Sequence, residues 1–244
     1  MRYGIFSDVH GNLEAFKAVL DFFRRQDIRQ FVFLGDLVGY GPNPLECVKL
    51  AMSIRNLYTV LGNHDAAVIG KMPSKWFNDA AMEAIEFTRS KLTGDAIEFL
   101  NSFPTRNQRE NFTMVHGSPS KPLQEYLISE MQFLNNKTSW DTPLCFVGHT
   151  HIPSHFYSDS NTFPKMDFMK KRPKFTITEE KVLINVGSVG QPRDGDSRSS
   201  CAIYDTNTRV FELFRIPYDI KATQQKMRNA GMPELLIDRL AMGI

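Results

Sequence analysis

The chain has 244 residues, 42% of them hydrophobic and 23% charged, enough for one large domain or two small ones and too apolar for general disorder or a fibrous repeat. Its 29 basic and 27 acidic residues leave a formal net charge of +2, which gives no electrostatic sign of a dedicated nucleic-acid or membrane-surface binder. Cys47, Cys145 and Cys201 are far apart and form no CxxC pair, which argues against a disulfide framework or zinc ribbon and for a reducing compartment.

Residues 2–7 (RYGIFS) read as a first buried strand. Asp8 and His10 interrupt the apolar run before it can form a signal-peptide core, and no stretch reaches the roughly 18 apolar residues of a membrane span. A soluble cytoplasmic protein with no membrane partner is expected. Leu13, Phe16, Leu20 and Phe23, with Val19 beside them, form one apolar face at helical period, so residues 13–25 read as a helix. Arg24 and Arg25 suit its negative end. Residues 31–34 (FVFL) form a second strand, ended by Gly35-Asp36. A Gly/Pro-rich turn then leads to a helix from about 45 to 52. Residues 57–61 (LYTVL) form a third strand before Gly62-Asn63-His64-Asp65.

Helices are expected at 76–91 and 94–102, with Trp76-Phe77 as a packing anchor rather than a base-stacking platform. Residues 111–115 form a strand before His116, a helix is expected around 123–134, and residues 144–147 (LCFV) form a strand before Gly148-His149-Thr150-His151. Residues 158–175 are polar, with Pro164, Pro173 and the run Lys170-Lys171-Arg172, and read as a surface excursion. Three charges there are weak grounds for nucleic-acid contact. Strands resume at 181–186, 200–205 and 209–215. A terminal helical region, 218–242, is broken at Gly231 and Pro233. Strands alternating with helices, then strands joined by turns, predict an α/β protein with two packed mixed β-sheets. No linker divides the chain, so a single domain over 1–244 is expected.

Five polar clusters follow expected strands: Asp8/His10, Asp36, Asn63/His64, His116 and His149/His151. Ligands of open α/β sheets bind beyond the carboxyl ends of strands, so parallel neighbours would bring these clusters to one edge. Five of the six histidines lie in them, and only His155 does not. The donors are oxygen and nitrogen, which suits divalent Mn, Fe, Co, Ni or Zn. Asp8, His10, Asp36, Asn63, His116, His149 and His151 exceed what one ion needs. A carboxylate shared between two ions about 3.5–4 Å apart would use them all. Asp36, alone at its strand end, is the natural bridge. Such a centre ionises water near pH 7 and directs it in line at phosphorus. His64, beside the ligands, is suited to protonate the leaving group.

The ordered set Asp8-Val9-His10-Gly11-Asn12, Gly35-Asp36, Gly62-Asn63-His64-Asp65, His116-Gly117 and Gly148-His149-Thr150-His151 resembles the calcineurin-like metallophosphoesterase superfamily over about residues 1–205. The resemblance implies a four-layer sandwich of two mixed β-sheets flanked by helices. It implies two divalent ions, manganese first, with Fe, Ni, Zn, Co or Mg as alternatives. One ion would lie on Asp8, His10, Asp36 and His151, the other on Asp36, Asn63, His116 and His149, with His64 as general acid. Protein phosphatases of this superfamily carry GDxVDRG. Here Gly39 and Tyr40 replace the Asp that orients the catalytic histidine and a substrate-binding Arg. GDLVGYGPNP and VLGNHD are similar to the bacterial diadenosine-tetraphosphatase-like group, and residues 185–193 resemble small prokaryotic phosphoesterases. The expected function is therefore a phosphodiesterase acting through a metal-bridging hydroxide on a phosphate ester or nucleotide. The alternatives are a dinucleoside-polyphosphate or cyclic-nucleotide hydrolase, a protein phosphatase, or a non-catalytic scaffold. Arg193 is a candidate phosphate contact, or else a turn arginine paired with Asp194 or Asp196. Asn12 either touches substrate or caps the first helix.

Overall fold

The computed structural model describes residues 1–109, 111–159, 163–169 and 173–244. Strand β1 (Arg2–Phe6) leads into helix α1 (Leu13–Arg25), β2 (Gln30–Phe33), α2 (Pro44–Met52), β3 (Leu57–Thr59) and α3 (Asn63–Val68). Helices α4 (Asp79–Lys91) and α5 (Gly94–Asn101) precede β4 (Arg106–Arg109), β5 (Phe112–Val115), α6 (Glu130–Asn136) and β6 (Leu144–Val147). The later chain forms β7 (Ser154–Ser158), β8 (Lys165–Phe168), β9 (Lys174–Thr176), β10 (Lys181–Asn185), β11 (Ser199–Asp205) and β12 (Val210–Ile216), then α7 (Ile220–Asn229) and α8 (Glu234–Met242).

Two six-stranded sheets result, ordered β3-β2-β1-β11-β12-β9 and β4-β5-β6-β10-β7-β8. Strands β1, β2 and β3 run parallel in the first; β5, β6 and β10 run parallel in the second. The other pairings are antiparallel, so both sheets are mixed, as the alternation of elements predicts.

Side-chain alternation explains why the central strands are continuously apolar. Tyr3, Ile5, Val32 and Leu34 point between the sheets and meet Phe112, Met114, Leu144, Phe146, Val182 and Ile184. Their neighbours point outward, Phe6 and Phe33 beneath α1 and α2, and Cys145, Val147 and Leu183 beneath Phe133 of α6. Strands buried on both faces lose the period-2 signal but keep their length and β-branched or aromatic character.

The differences from sequence expectation have local causes. The expected helix at 123–134 is confined to Glu130–Asn136, because Ser129 caps it by accepting from the Gln132 N–H, 3.3 Å, and residues 122–124 form a turn. The expected helix from residue 76 begins at Asp79, where Asn78 accepts from the Ala81 N–H at 2.9 Å. The supposed surface excursion 158–175 contributes two edge strands: β8 closes the second sheet against β7, and β9 closes the first against β12. Both are largely solvent-exposed, so their polar sequence carries no alternation. The run 170–172 lies outside the described residues. Strand β7 and the polar β4 also escaped the sequence reading. Among the described residues no helix is long and apolar enough to cross a membrane.

Phe146 is fully buried between the sheets and touches Phe112, Tyr204 and Phe211. Phe146→Ala should lower unfolding free energy by about 3–5 kcal/mol, read as a shifted denaturation midpoint at unchanged m.

Candidate metal centre

The five clusters stand at the carboxyl ends of β1, β2, β3, β5 and β6, and the two sheets bring them to one edge. The loops are laced together by backbone. Asp8 N–H donates to Gly35 O at 2.9 Å, His10 N–H to Asp36 O at 3.0 Å, and Gly148 N–H to His116 O at 2.9 Å. Asp8, His10, Asp36, His149 and His151 all have φ between 49° and 69°. Aspartate and histidine tolerate this left-handed region better than most residues, at a cost of about 1–3 kcal/mol each, and such strain collects at functional sites. The sharp turns aim these side chains inward from chains that would otherwise run on past the edge.

Close approach of the loops needs two glycines. A Cβ on Gly62 would stand 2.0 Å from Asp36 Oδ1, and one on Gly148 would stand 2.0 Å from Ser7 Oγ.

The side chains form two adjoining groups. Asp8, His10 and His151 converge in one; Asp36, His116 and His149 in the other; His10, Asp36 and His64 form a third set that overlaps both; every member is buried. Asn63 Oδ1 lies 2.9 Å from His116 Nε2 and joins the second group. Asp36 belongs to both sides. Its Oδ1 accepts the His64 N–H at 2.8 Å, while Oδ2 lies 3.6 Å from His10 Nε2 and 3.3 Å from His116 Nε2.

Histidine tautomers show that the groups fit cations. The Nδ1–H groups of His10, His116 and His151 face the carbonyls of Val38, Leu34 and Gln191 at 3.1, 2.7 and 2.6 Å. A carbonyl can only accept, so in the neutral ring each Nε2 is a bare lone pair. Yet His10 Nε2 and His151 Nε2 face each other at 3.1 Å, and His116 Nε2 faces His149 Nδ1 at 3.1 Å and the Asn63 carbonyl. Facing acceptors need a shared proton or a cation. Imidazoles held by carbonyls on their far nitrogen are also the usual second layer of a metal site.

Electrostatics point the same way. Burial would raise Asp8, but the His151 imidazole holds it well below the usual carboxylate range. Asp36 is likewise held low against burial, chiefly by His116. Burial opposes protonation of His116, yet the Asp36 charge wins and raises it to about 9. Burial pulls His149 down to about 3 and His64 to about 4, and it lowers His10 and His151 as well. His116 thus faces Asp8 and Asp36 as a favoured imidazolium while burial disfavours charge on the other rings, a field that suits a bound cation.

His64 is the second residue of α3, and its ring packs on Tyr40, His10 and Phe77 at 4.4, 4.9 and 5.0 Å between centroids. Its buried Nδ1 has no hydrogen-bond partner among the described residues. A Cβ on Gly39 would stand 2.7 Å from that nitrogen, so the glycine leaves the ring unoriented by any carboxylate at this position. Phe77 thus packs on the site, while Trp76 is exposed. Asn12 caps α1 through the Ala15 N–H, 3.2 Å, donates to Gly190 O at 2.9 Å and accepts from Thr223 Oγ1. The capping alternative is the arrangement present. Arg193 donates to Gln191 Oε1 at 2.7 Å. Asp194 pairs instead with Arg215, and Asp196 with Arg198. His155 lies away from the site, stacked between Tyr157 and Phe175.

Sequence reasoning named Asp65 only as the end of a motif. Each of its oxygens accepts two backbone N–H groups: Oδ2 from Asp36 and Gly62, Oδ1 from Leu37 and Val38. Burial, with the neighbouring Asp36 charge, pushes Asp65 up to about 7, while those donors oppose the shift. It clamps the turn that presents Asp36. Its only sequence signal was an unassigned carboxylate beside His64.

A two-sheet sandwich with buried carboxylates and imidazoles gathered at one sheet edge defines the class of metal-dependent phosphoric ester hydrolases. The chain belongs to the calcineurin-like phosphoesterase superfamily, whose domain profile matches residues 1–209. It is 41% identical to a metallophosphoesterase from Sphaerobacter thermophilus, with a TM-score of 0.89 over 100% of this chain and 99% of that one. An uncharacterised protein from Methanocaldococcus jannaschii is 35% identical over 98% of this chain and 97% of its own length. A symmetrical bis(5'-nucleosyl)-tetraphosphatase from Buchnera aphidicola is 31% identical over 121 residues, 47% of this chain and 43% of that protein.

Two predictions follow from the packing and charge of the site. Asp65→Ala strands four backbone donors and should cost about 3–5 kcal/mol; Asp65→Asn, which keeps one acceptor oxygen, should cost less in the same denaturant titration. Chelator-treated protein should be most stable near pH 6.5. Below it, the histidines with lowered folded pKa values take up protons more readily when unfolded, so stability falls with pH, while Asp65, raised to about 7 on folding, offsets part of that fall. Above it, His116 binds its proton more tightly when folded, so its contribution is lost as pH rises towards 9. Melting temperature across pH 5–9 checks both limbs.

Proposed function

We propose that the protein is a phosphodiesterase working with two divalent cations, manganese being the expected ion. The observation that supports this most is the position of Asp36 Oδ2 between His10 and His116, one from each group of ligand candidates. In this reading Asp8, His10, Asp36 and His151 hold one ion, and Asp36, Asn63, His116 and His149 hold the other. Bound there, the ions supply Lewis acidity to the phosphoryl oxygens and an ionised water at neutral pH.

The chain's own residues do the rest. Carbonyls of Leu34, Val38 and Gln191 fix the ligand tautomers. Asp65 and the His64 N–H hold Asp36 in place. His64 sits against His10 and Asp36, where it can pass a proton to the leaving oxygen. Burial keeps its pKa low, and an arriving phosphate would raise it as Asp36 already does. Arg193, whose backbone N–H donates to His151 O at 3.3 Å, stands where it can meet a phosphoryl oxygen. The absence of a carboxylate on His64 favours diesters over phosphoproteins. The tetraphosphatase relatives support a second reading, hydrolysis of dinucleoside polyphosphates.

Elemental analysis should find two ions per metal-saturated chain, and Asp36→Asn should lose metal as well as activity. Retention of both ions by that variant would remove the bridging role. His64→Ala should keep its metal and lose about 10²–10⁴-fold in kcat on alkyl esters, but much less on a nitrophenyl ester, whose leaving group needs no proton. An equal loss on both would reassign the general acid. Under the same metal, kcat/KM for bis(p-nitrophenyl) phosphate should exceed that for a phosphoserine peptide.

A further inference from the structure

A cleft of about 300 Å³ adjoins the metal centre and has no part in the chemistry described so far. Among the described residues it is lined by Ile152, Pro153, Phe168, Met169, Arg193 and Asp194. Two of its walls start at the site. Ile152 directly follows the ligand candidate His151, and Arg193 N–H donates to His151 O at 3.3 Å. The Arg193 guanidinium carbon lies 5.8 Å from the centre of the Tyr40 ring, which packs on His10 and His64. One side chain thus both lines the cleft and stands at the rim of the metal centre.

The walls are held in place. Met169 N–H donates to Pro153 O at 2.9 Å, and Ser154 pairs with Phe168 across β7 and β8. Pro153 lies so close to Gly187 that a Cβ there would come within 2.7 Å of its ring. Gly195 N–H donates to Gly243 O at 2.9 Å, so the end of α8 holds the loop that carries Arg193. A preformed cleft loses little freedom on binding.

The lining is divided chemically. Ile152, Pro153, Phe168 and Met169 are apolar, and Phe168 is 53% exposed. The Asp194 carboxylate is spent on Arg215. Arg193 donates to Gln191 Oε1, while its buried Nε has no hydrogen-bond partner among the described residues. An apolar slot with one guanidinium on its metal side fits a molecule anionic at one end and apolar at the other. His64 is not among the lining residues, so the slot lies apart from the leaving oxygen that His64 serves.

We propose that this cleft holds the ester group that stays on phosphorus, and that the substrate is a phosphodiester whose retained group is an apolar alkyl or aryl chain. Arg193 marks the junction, with the phosphate on its metal side and the apolar group against Phe168. This rests on the phosphodiesterase reading of the metal centre.

The p-nitrophenyl esters of methyl, butyl and hexyl phosphate share one leaving group and differ only in the retained chain. Addition of water across the P–O bond releases p-nitrophenol and leaves the alkyl phosphate. Methyl, butyl and hexyl phosphate therefore serve as product probes, titrated calorimetrically into metal-saturated protein. Both kcat/KM and product affinity should rise by at least about 10-fold from methyl to hexyl, since each fully buried methylene contributes up to about 4-fold. Phe168→Ser should cut the hexyl-to-methyl ratio about 5- to 10-fold, with metal content and melting temperature showing that the variant is folded and loaded. Ile152→Ser, on another wall, makes the same test should Phe168→Ser fail to fold. Arg193→Ala should weaken all three alkyl phosphates alike, and undiminished affinity there overturns its place at the junction. A flat calorimetric series in the wild type, or a ratio that survives loss of the apolar wall, overturns the proposal. A rising calorimetric series without hydrolysis of the diesters would support the cleft and count against the phosphodiesterase reading.

Discussion

The Asp36 carboxylate is buried where four loops meet, and the architecture around it makes sense as the means of holding that one charge in place. Its Oδ1 takes the N–H at the start of α3, and its Oδ2 faces imidazoles from both ligand groups. The turn that carries it is gripped by both oxygens of Asp65. A lone carboxylate at this depth would be strongly disfavoured. It persists because an imidazolium, backbone donors and, when bound, cations share the field. The same field explains opposite shifts in neighbouring rings: His116, against Asp36, is raised, while His149 and His64, dominated by burial, are lowered.

That arrangement constrains the backbone. Five ligand candidates occupy left-handed conformations that an ordinary strand end would not adopt. Loop-to-loop hydrogen bonds and the close glycine contacts hold the strain, and the double-sided core beneath them supplies the rigid support. The parallel strands β1, β2 and β3 end together in one sheet, as β5 and β6 do in the other, so side chains far apart in sequence arrive at one edge.

The surroundings of the site set its character as much as the ligands do. Gly39 withholds a carboxylate from His64, and Tyr40 fills the space beside it with an aromatic face. The chain beyond the superfamily match is part of this surround, since α7 and α8 rest on the cap of α1 and on the loop of Arg193. The fold thus has a floor of metal-ligand candidates and a rim that includes helices beyond the superfamily profile.

By itself the sequence determined the α/β class, the two mixed sheets, the central strands and the seven ligand candidates. Those features leave local marks: apolar runs of strand length, helical periodicity as in Leu13–Phe23, and chemically unusual residues just after a strand. Short motifs such as Gly62-Asn63-His64-Asp65 could be read because their chemistry is concentrated in adjacent residues. Strands β4, β8 and β9 were not legible, because solvent-exposed edge strands need no apolar alternation. The start of α6 depended on one capping serine. Only the tertiary structure decided that Asn12 caps a helix, that Asp65 clamps the Asp36 turn, and that, among the described residues, Asp194 and Asp196 pair with Arg215 and Arg198 rather than with Arg193. Each of these is a choice among partners separated by tens or hundreds of residues, and such choices are settled by which loops the sheets bring together, a property no local stretch of sequence contains.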